Sequence, residues 1–185
     1  MSNARSSWRG DSRLSMATPP LRNPLIAVDT NVPLDLADRK EHVLDALAVI
    51  RRRLKPGRVL VTPTVFHELV YLAEHADLKA DREQALRGLH GLATWGLELV
   101  NLVPVGHGIV ERIADRLMES GLLPAEEYND GLILAEASLL GCAILLTGDA
   151  HLRGLDFQAT SLELKAFDVE MPVIATPREL VGKFF

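Results

Sequence analysis

The sequence predicts an α/β fold, a single domain with a central parallel five-stranded sheet and helices on both faces. Three observations predict it. Short apolar runs alternate with segments of helical periodicity from Pro24 onward. The apolar runs are continuous rather than alternating, as expected of strands buried on both faces. No internal repeat or low-complexity stretch interrupts the order.

The first strand is Leu25-Ile26-Ala27-Val28, ending abruptly at Asp29-Thr30-Asn31. A helix follows over 41–54, with Val43, Leu44, Leu47, Ile50 and Leu54 at helical spacing. Pro56-Gly57 stops it, and 59–61 is the second strand. Thr62-Pro63 opens the next helix, with Thr62 read as the N-cap and Pro63 at the first helical position. Further helices are expected over 81–95, 109–119 and 125–140, with a third strand over 97–103. Strands over 143–146 and 172–174 complete the sheet, and Thr176-Pro177-Arg178-Glu179 forms a capping box for a final helical turn.

The chain has 185 residues, enough for one domain, and 48% of them are hydrophobic, enough for one sizeable core. Residues 1–23 are rich in Ser, Arg and Asn and are expected to form a flexible tail, leaving 24–185 as the folded domain. The formal net charge of −5 excludes a binder that coats duplex nucleic acid mainly by bulk positive charge. The single Cys142 cannot form an internal disulfide or contribute to a cysteine cluster for zinc, so a reducing, cytoplasmic setting is expected. No apolar run reaches the ~20 residues of a membrane helix, and no membrane partner is expected.

Ligands of an open parallel sheet bind beyond the carboxyl ends of its strands. Asp29 directly closes the first strand, and Asp149 follows the fourth by three residues. Either acid alone is compatible with a turn or a helix cap. Two further acids lie on the apolar faces of helices. Glu68 shares a face with Val65, Leu69 and Leu72, and Asp130 with Ile133, Leu134 and Ala137. A charge on a packed face is costly unless it is paired or binds metal. If the four came together, each like-charged pair at ~5 Å would repel by about 3 kcal/mol at an effective dielectric of ~20. Such a cluster needs protons or cations. An all-oxygen ligand set favours Mg²⁺ or Mn²⁺ over zinc.

These residues carry a family resemblance. Residues Leu25 to Asn31, then Thr62-Pro63-Thr64-Val65-Phe66-His67-Glu68-Leu69, resemble the opening of a PIN domain. Asn129-Asp130-Gly131-Leu132-Ile133-Leu134-Ala135-Glu136-Ala137 continues that pattern, followed by Ala143-Ile144-Leu145-Leu146-Thr147-Gly148-Asp149-Ala150-His151-Leu152. The resemblance spans about 24–182. It implies a metal-dependent endoribonuclease whose catalytic and metal-binding residues are Asp29, Glu68, Asp130 and Asp149, with Mg²⁺ or Mn²⁺ as cofactor. Asn31 and Thr147 would orient those carboxylates. The resemblance to VapC-type toxins further implies an RNA substrate, a homodimer and a cognate antitoxin partner.

Arg153 and His151, just beyond Asp149, are the expected phosphate contacts. Arg51-Arg52-Arg53, with Lys55 and Arg58, is read instead as a solvated helix end far from the acids. Glu126 and Glu127 are read as acids complementing a helix dipole, and the six histidines show no metal-ligand spacing. His67-Glu68 does not begin a zinc-protease motif, because Tyr71 occupies the required second histidine position. Two other classes compete with the nuclease. One is a PIN-fold module that binds RNA or protein without cutting. The other is a metal-dependent phosphatase, although Asn31 stands where its usual second acid would be.

Overall fold

A computed structural model describes residues 23–102 and 108–184. The expected tail (apart from Asn23) and the end of the expected third strand at Val103 lie outside the described residues. Five strands, β1 (Leu25–Val28), β2 (Arg58–Val61), β3 (Leu97–Leu99), β4 (Ile144–Leu146) and β5 (Val173–Ala175), form one sheet. Its order is β3-β2-β1-β4-β5, and every pair is parallel. The successive residues Ile26, Ala27 and Val28 are all fully buried, which requires cover on both faces of the central strand.

Nine α-helices occur among the described residues: α1 (Asn31–Ala37), α2 (Glu41–Val49), α3 (Pro63–His75), α4 (Lys79–Gly91), α5 (Ile109–Glu119), α6 (Tyr128–Leu139), α7 (Ala150–Gly154), α8 (Phe157–Lys165) and α9 (Pro177–Phe184). Helix α4 packs on α1 and α3, α5 on α6, and α2 on α9. The chain builds the sheet outward from β1 through β2 to β3, then returns to place β4 on the other side of β1. That reversal makes the β1–β4 carboxyl edge the topological switch point, where neighbouring connections diverge and leave a crevice.

Several elements differ from the sequence reading. Only two residues separate helix α1 from β1, and α1 lies in a segment where the sequence pattern predicts no element. Its amphipathic signal is short, and Pro33 sits within its first turn, where a missing N–H is tolerated. The expected helix over 41–54 ends as α-helix at Val49 and continues as a π-helical turn, Ile50–Leu54. Lys55, in the left-handed region at φ 46°, closes that turn through its N–H to the Ile50 carbonyl at 3.0 Å. The expected helix over 125–140 divides into a 3₁₀ turn, Ala125–Glu127, and α6. Residues 157–165, where the sequence pattern predicts no element, form α8 with Asp156 as its N-cap, accepting from the Ala159 N–H at 2.7 Å. The final helical turn is a full helix, α9. Its capping box is reciprocal: the Thr176 N–H donates to Glu179 Oε2 at 2.9 Å and the Glu179 N–H to Thr176 Oγ1 at 3.0 Å.

Helices α5 and α6 pack tightly at Gly131. A Cβ there would lie 3.0 Å from Met118 Cε and 3.2 Å from Ala114 Cβ. In an open helix, Gly→Ala gains up to about 1 kcal/mol of propensity. Here Met118 can yield but Ala114, fully buried on α5, cannot, and overpacking costs about 1–3 kcal/mol. Gly131→Ala is therefore expected to lower stability in denaturant unfolding despite its better helix propensity. A gain in midpoint would show that the helices separate freely.

Candidate active site

The register of β1 and β4 builds the centre of the site. Val28 pairs with Leu146, and the Asp29 N–H continues the ladder to the Leu146 carbonyl at 3.0 Å. Asp29 and the Thr147-Gly148-Asp149 turn therefore leave adjacent strands side by side at the carboxyl edge.

Asp29 is almost wholly buried and surrounded by donors. Its Oδ1 accepts from the Thr30 N–H at 2.6 Å. Its Oδ2 accepts from Thr147 Oγ1 at 2.5 Å and from Asn31 Nδ2. Asn31 ties the two strand ends together, since its Oδ1 accepts from the Gly148 N–H at 2.9 Å. Thr147 Oγ1 in turn accepts from the Asp149 N–H at 2.8 Å. Burial nevertheless pushes the Asp29 carboxyl up to about 6, against the pull of Thr147 and Thr30, with the Glu68 and Asp149 charges adding to the rise.

Asp149 is the N-cap of α7, its Oδ1 accepting from the His151 N–H at 2.6 Å and the Leu152 N–H at 3.1 Å. Glu68 reaches the cluster from the second turn of α3. Its carboxylate is held between Thr30 Oγ1, donating to Oε2, and Asn129 Nδ2, donating to Oε1 at 2.6 Å. Asp130, in the first turn of α6, meets the opposite condition. Its Oδ2 is buried and receives no hydrogen bond. Burial pushes its carboxyl up to about 8, and the facing charges of Asp149 and Asp29 push in the same direction. A donor-poor carboxyl facing two others is satisfied only by a proton or a cation between them. The oxygen-rich donor set thus fits a hard divalent cation.

Three residues, Glu127, His151 and Glu136, take roles that the sequence analysis did not give them. The ligand atoms of Glu127, Asp130 and His151 lie within 4.8 Å of one another, a group able to hold a metal ion. Glu127 sits there instead of serving only a helix dipole, because His151 Nδ1 approaches its Oε1 at 3.1 Å. Their separation in sequence hid the pairing: one precedes α6 and the other follows β4. Glu136 is the third. It is a buried acid on α6 whose Oε1 accepts from Thr64 Oγ1 at 2.9 Å, and its Oε2 from the Thr64 N–H at 3.1 Å. Thr62 occupies the N-cap position of α3 but makes no side-chain cap bond, and Glu136 satisfies the helix start from across the core. A lone acid within the apolar run of α6 was the only sequence signal. Burial raises the Glu136 carboxyl despite those donors.

The two expected phosphate contacts point to acids. His151 faces Glu127, and Arg153 Nη2 lies 3.4 Å from Glu179 Oε1, both side chains about half exposed. Arg51, Arg52 and Arg53 lie in the π-helical turn that leads into β2, at the opposite edge of the sheet.

The PIN-domain family profile matches residues 26–158. The chain belongs to the PIN-domain family. No curated protein matches it significantly. Among solved structures, VapBC2 from Rickettsia felis, bound to a DNA fragment from its promoter, is similar at 14% identity with a TM-score of 0.55. That match covers 82% of this chain and 98% of the other. VapBC-1 from nontypeable Haemophilus influenzae and DNA-bound VapBC from Salmonella typhimurium are each similar at 18% identity and a TM-score of 0.53. Each match covers 83% of this chain and 98% of the other. These likenesses concern the fold. Among the described residues, no helix is long and apolar enough to cross a membrane.

Two measurements follow. The folded protein holds the Asp130 proton up to about pH 8, whereas the ordinary value is 3.8. The native state therefore binds more protons than the unfolded chain between those limits, and its stability falls as pH rises from about 4 to 8. Chemical denaturation without metal should show Asp130→Asn gaining on the wild type across that window, with the two curves running parallel below pH 4. A constant offset from pH 4 to 8 would refute the assignment. Removing the Glu136 acceptors leaves the Thr64 groups unpaired, so Glu136→Ala should cost about 1–3 kcal/mol. Glu136→Gln, retaining an acceptor oxygen, should recover most of that loss in the same unfolding assay.

Proposed function

We propose that this PIN domain is a metal-dependent endoribonuclease in which Asp29, Glu68, Asp130 and Asp149 hold Mg²⁺ or Mn²⁺. The observation that carries the reading is the buried, donorless Oδ2 of Asp130 among the Asp149 and Asp29 charges. A structural acid cluster would satisfy that oxygen with a neighbouring N–H or hydroxyl. Here the donors go to Asp29, Glu68 and Asp149 instead. When bound, a divalent ion would polarise a phosphoryl oxygen and favour deprotonation of water near neutral pH.

The chain's own residues supply orientation. Asn31 and Thr147 fix the Asp29 carboxylate, and the same two residues tie the ends of β1 and β4, so the two acids keep one spacing. Thr30 and Asn129 do the same for Glu68. His151 would hydrogen-bond the scissile phosphate from beside Glu127. Arg153 would reach it by leaving Glu179, a half-exposed contact of the kind worth little in water. The similarity to VapBC toxin–antitoxin structures supports a toxin role with a cognate antitoxin as partner, and the same reading takes the toxin as a homodimer.

Asp29→Asn should abolish cleavage of single-stranded RNA while leaving the far-UV spectrum unchanged. It should also remove the Mn²⁺-induced rise in melting temperature that the wild type shows. Asn31→Ala should retain folding but lose about 10–100-fold in activity, through a misoriented Asp29. Full activity of Asp29→Asn, or of the wild type in excess chelator, would sink the mechanism. RNA binding without cleavage under any divalent ion would replace it with a binding role.

A further inference from the structure

The edge of the sheet opposite the acids carries a concentrated positive surface that the proposed chemistry does not use. Five of the 20 lysines and arginines fall within eight residues, 51 to 58, in a chain of net charge −5. The π-helical turn Ile50–Leu54 fans Arg51, Arg52 and Arg53 around the end of α2, and all three are exposed, as are Lys55 and Arg58. Arg51, Lys55 and Arg58 line a recess of 390 Å³ together with Gly57, Gly96 and Glu98. Arg52 and Arg53 line a second recess of 220 Å³ on the neighbouring face of the turn.

The pairing of these groups separates a structural role from a binding role. Arg58 Nε is 2.6 Å from Glu98 Oε2, and Arg51 Nη2 donates to the Trp95 carbonyl, so two of the five cations tie β2 and the end of α2 to the β3 side. Among the described residues, Arg52, Arg53 and Lys55 have no ion pair or side-chain hydrogen bond. A helix C-terminus accounts for roughly half a negative charge. Five cations against one carboxylate leave about four positive charges, well beyond what the dipole needs. Planar guanidinium groups with free donors match phosphate oxygens.

We propose that this basic edge is an RNA-backbone docking site, anchoring the strand whose scissile bond reaches the acidic edge. The assignment of RNA, rather than another polyanion, rests on the ribonuclease reading. Arg58 begins β2 and Asp29 follows β1 at the far end of the same four-residue register. At about 3.3 Å per residue the two edges are separated by roughly 13 Å. Stacked nucleotides rise about 3.4 Å each, so an RNA of some four or more nucleotides spans that height. The arrangement resolves an electrostatic conflict: the acidic edge repels phosphates, and attraction is supplied where it does not disturb the carboxylates.

The test uses the full chain and a fluorescein-labelled 20-nucleotide oligouridine in EDTA, so that cleavage cannot intervene. Binding is followed by anisotropy from 50 to 200 mM KCl. The variant is Arg52→Gln/Arg53→Gln/Lys55→Asn, in which Asn is chosen because it tolerates the left-handed backbone of Lys55. Three lost phosphate contacts at about −0.7 each should reduce the salt slope by about 2. The wild-type affinity would then fall about 16-fold more than that of the variant over the fourfold salt range. Arg52→Lys/Arg53→Lys should keep most of the slope, which separates charge from folding defects. In Mn²⁺, the triple variant should raise KM for the same RNA while keeping kcat.

An unchanged slope and affinity in the triple variant would overturn the proposal. So would absence of RNA binding by the wild type, or binding of poly-glutamate in preference to RNA. If the slope changes as expected but the wild type cleaves nothing under any divalent ion, the docking site stands and the nuclease reading fails.

Discussion

The pairing of β1 with β4, with Val28 opposite Leu146, is the constraint from which the remaining geometry follows. It sets Asp29 beside the Thr147-Gly148-Asp149 turn, so the hydrogen bonds of Asn31 and Thr147 can close between two chain segments more than a hundred residues apart. A one-residue slip would invert the faces of β4 and carry Thr147 out of reach of Asp29. The apolar residues of both strands, Ile26, Ala27, Val28, Leu145 and Leu146, are fully buried. Core packing thus enforces the register, and the register places the acids.

Around that register the fold divides negative charge into satisfied and unsatisfied groups. Asp29, Glu68, Asp149 and Glu136 each receive hydrogen bonds from the backbone or from Thr and Asn side chains. Asp130 Oδ2 receives none and faces other carboxylates. Holding acids together in a low-dielectric crevice raises Asp29 and Asp130 toward neutrality. The fold therefore stores an electrostatic deficit at one oxygen while its donors fix the surrounding carboxylates in place. Glu136 extends that logic one layer inward by anchoring the start of α3, from which Glu68 projects.

Much of the fold was legible because its signals are local. Continuous apolar runs identified the strands, and the 109–119 periodicity matched α5 to the residue. Helix α1 escaped because seven residues are too few to display an amphipathic repeat, and Pro33 disguised its first turn. The change from α to π geometry at Ile50 escaped because the same side chains satisfy either helix. Thr62 and Pro63 hold the cap and first helical positions that local preference predicts, but the side-chain acceptor for the helix start arrives from α6, which no local preference describes.

The sequence by itself determined the five strands and the longer helices in their order, and the positions of Asp29 and Asp149 at strand ends and of Glu68 and Asp130 in early helical turns. Those assignments depend on spacings of two and 3.6 residues, which are properties of the chain alone. Tertiary structure decided which of these groups meet and which pair elsewhere. It brought Glu127 to His151, turned Arg153 toward Glu179, used Glu136 to cap α3, and left Asp130 Oδ2 without a donor. Such pairings depend on strand order and helix packing. Those are set by burial of the whole core, and no local window contains them.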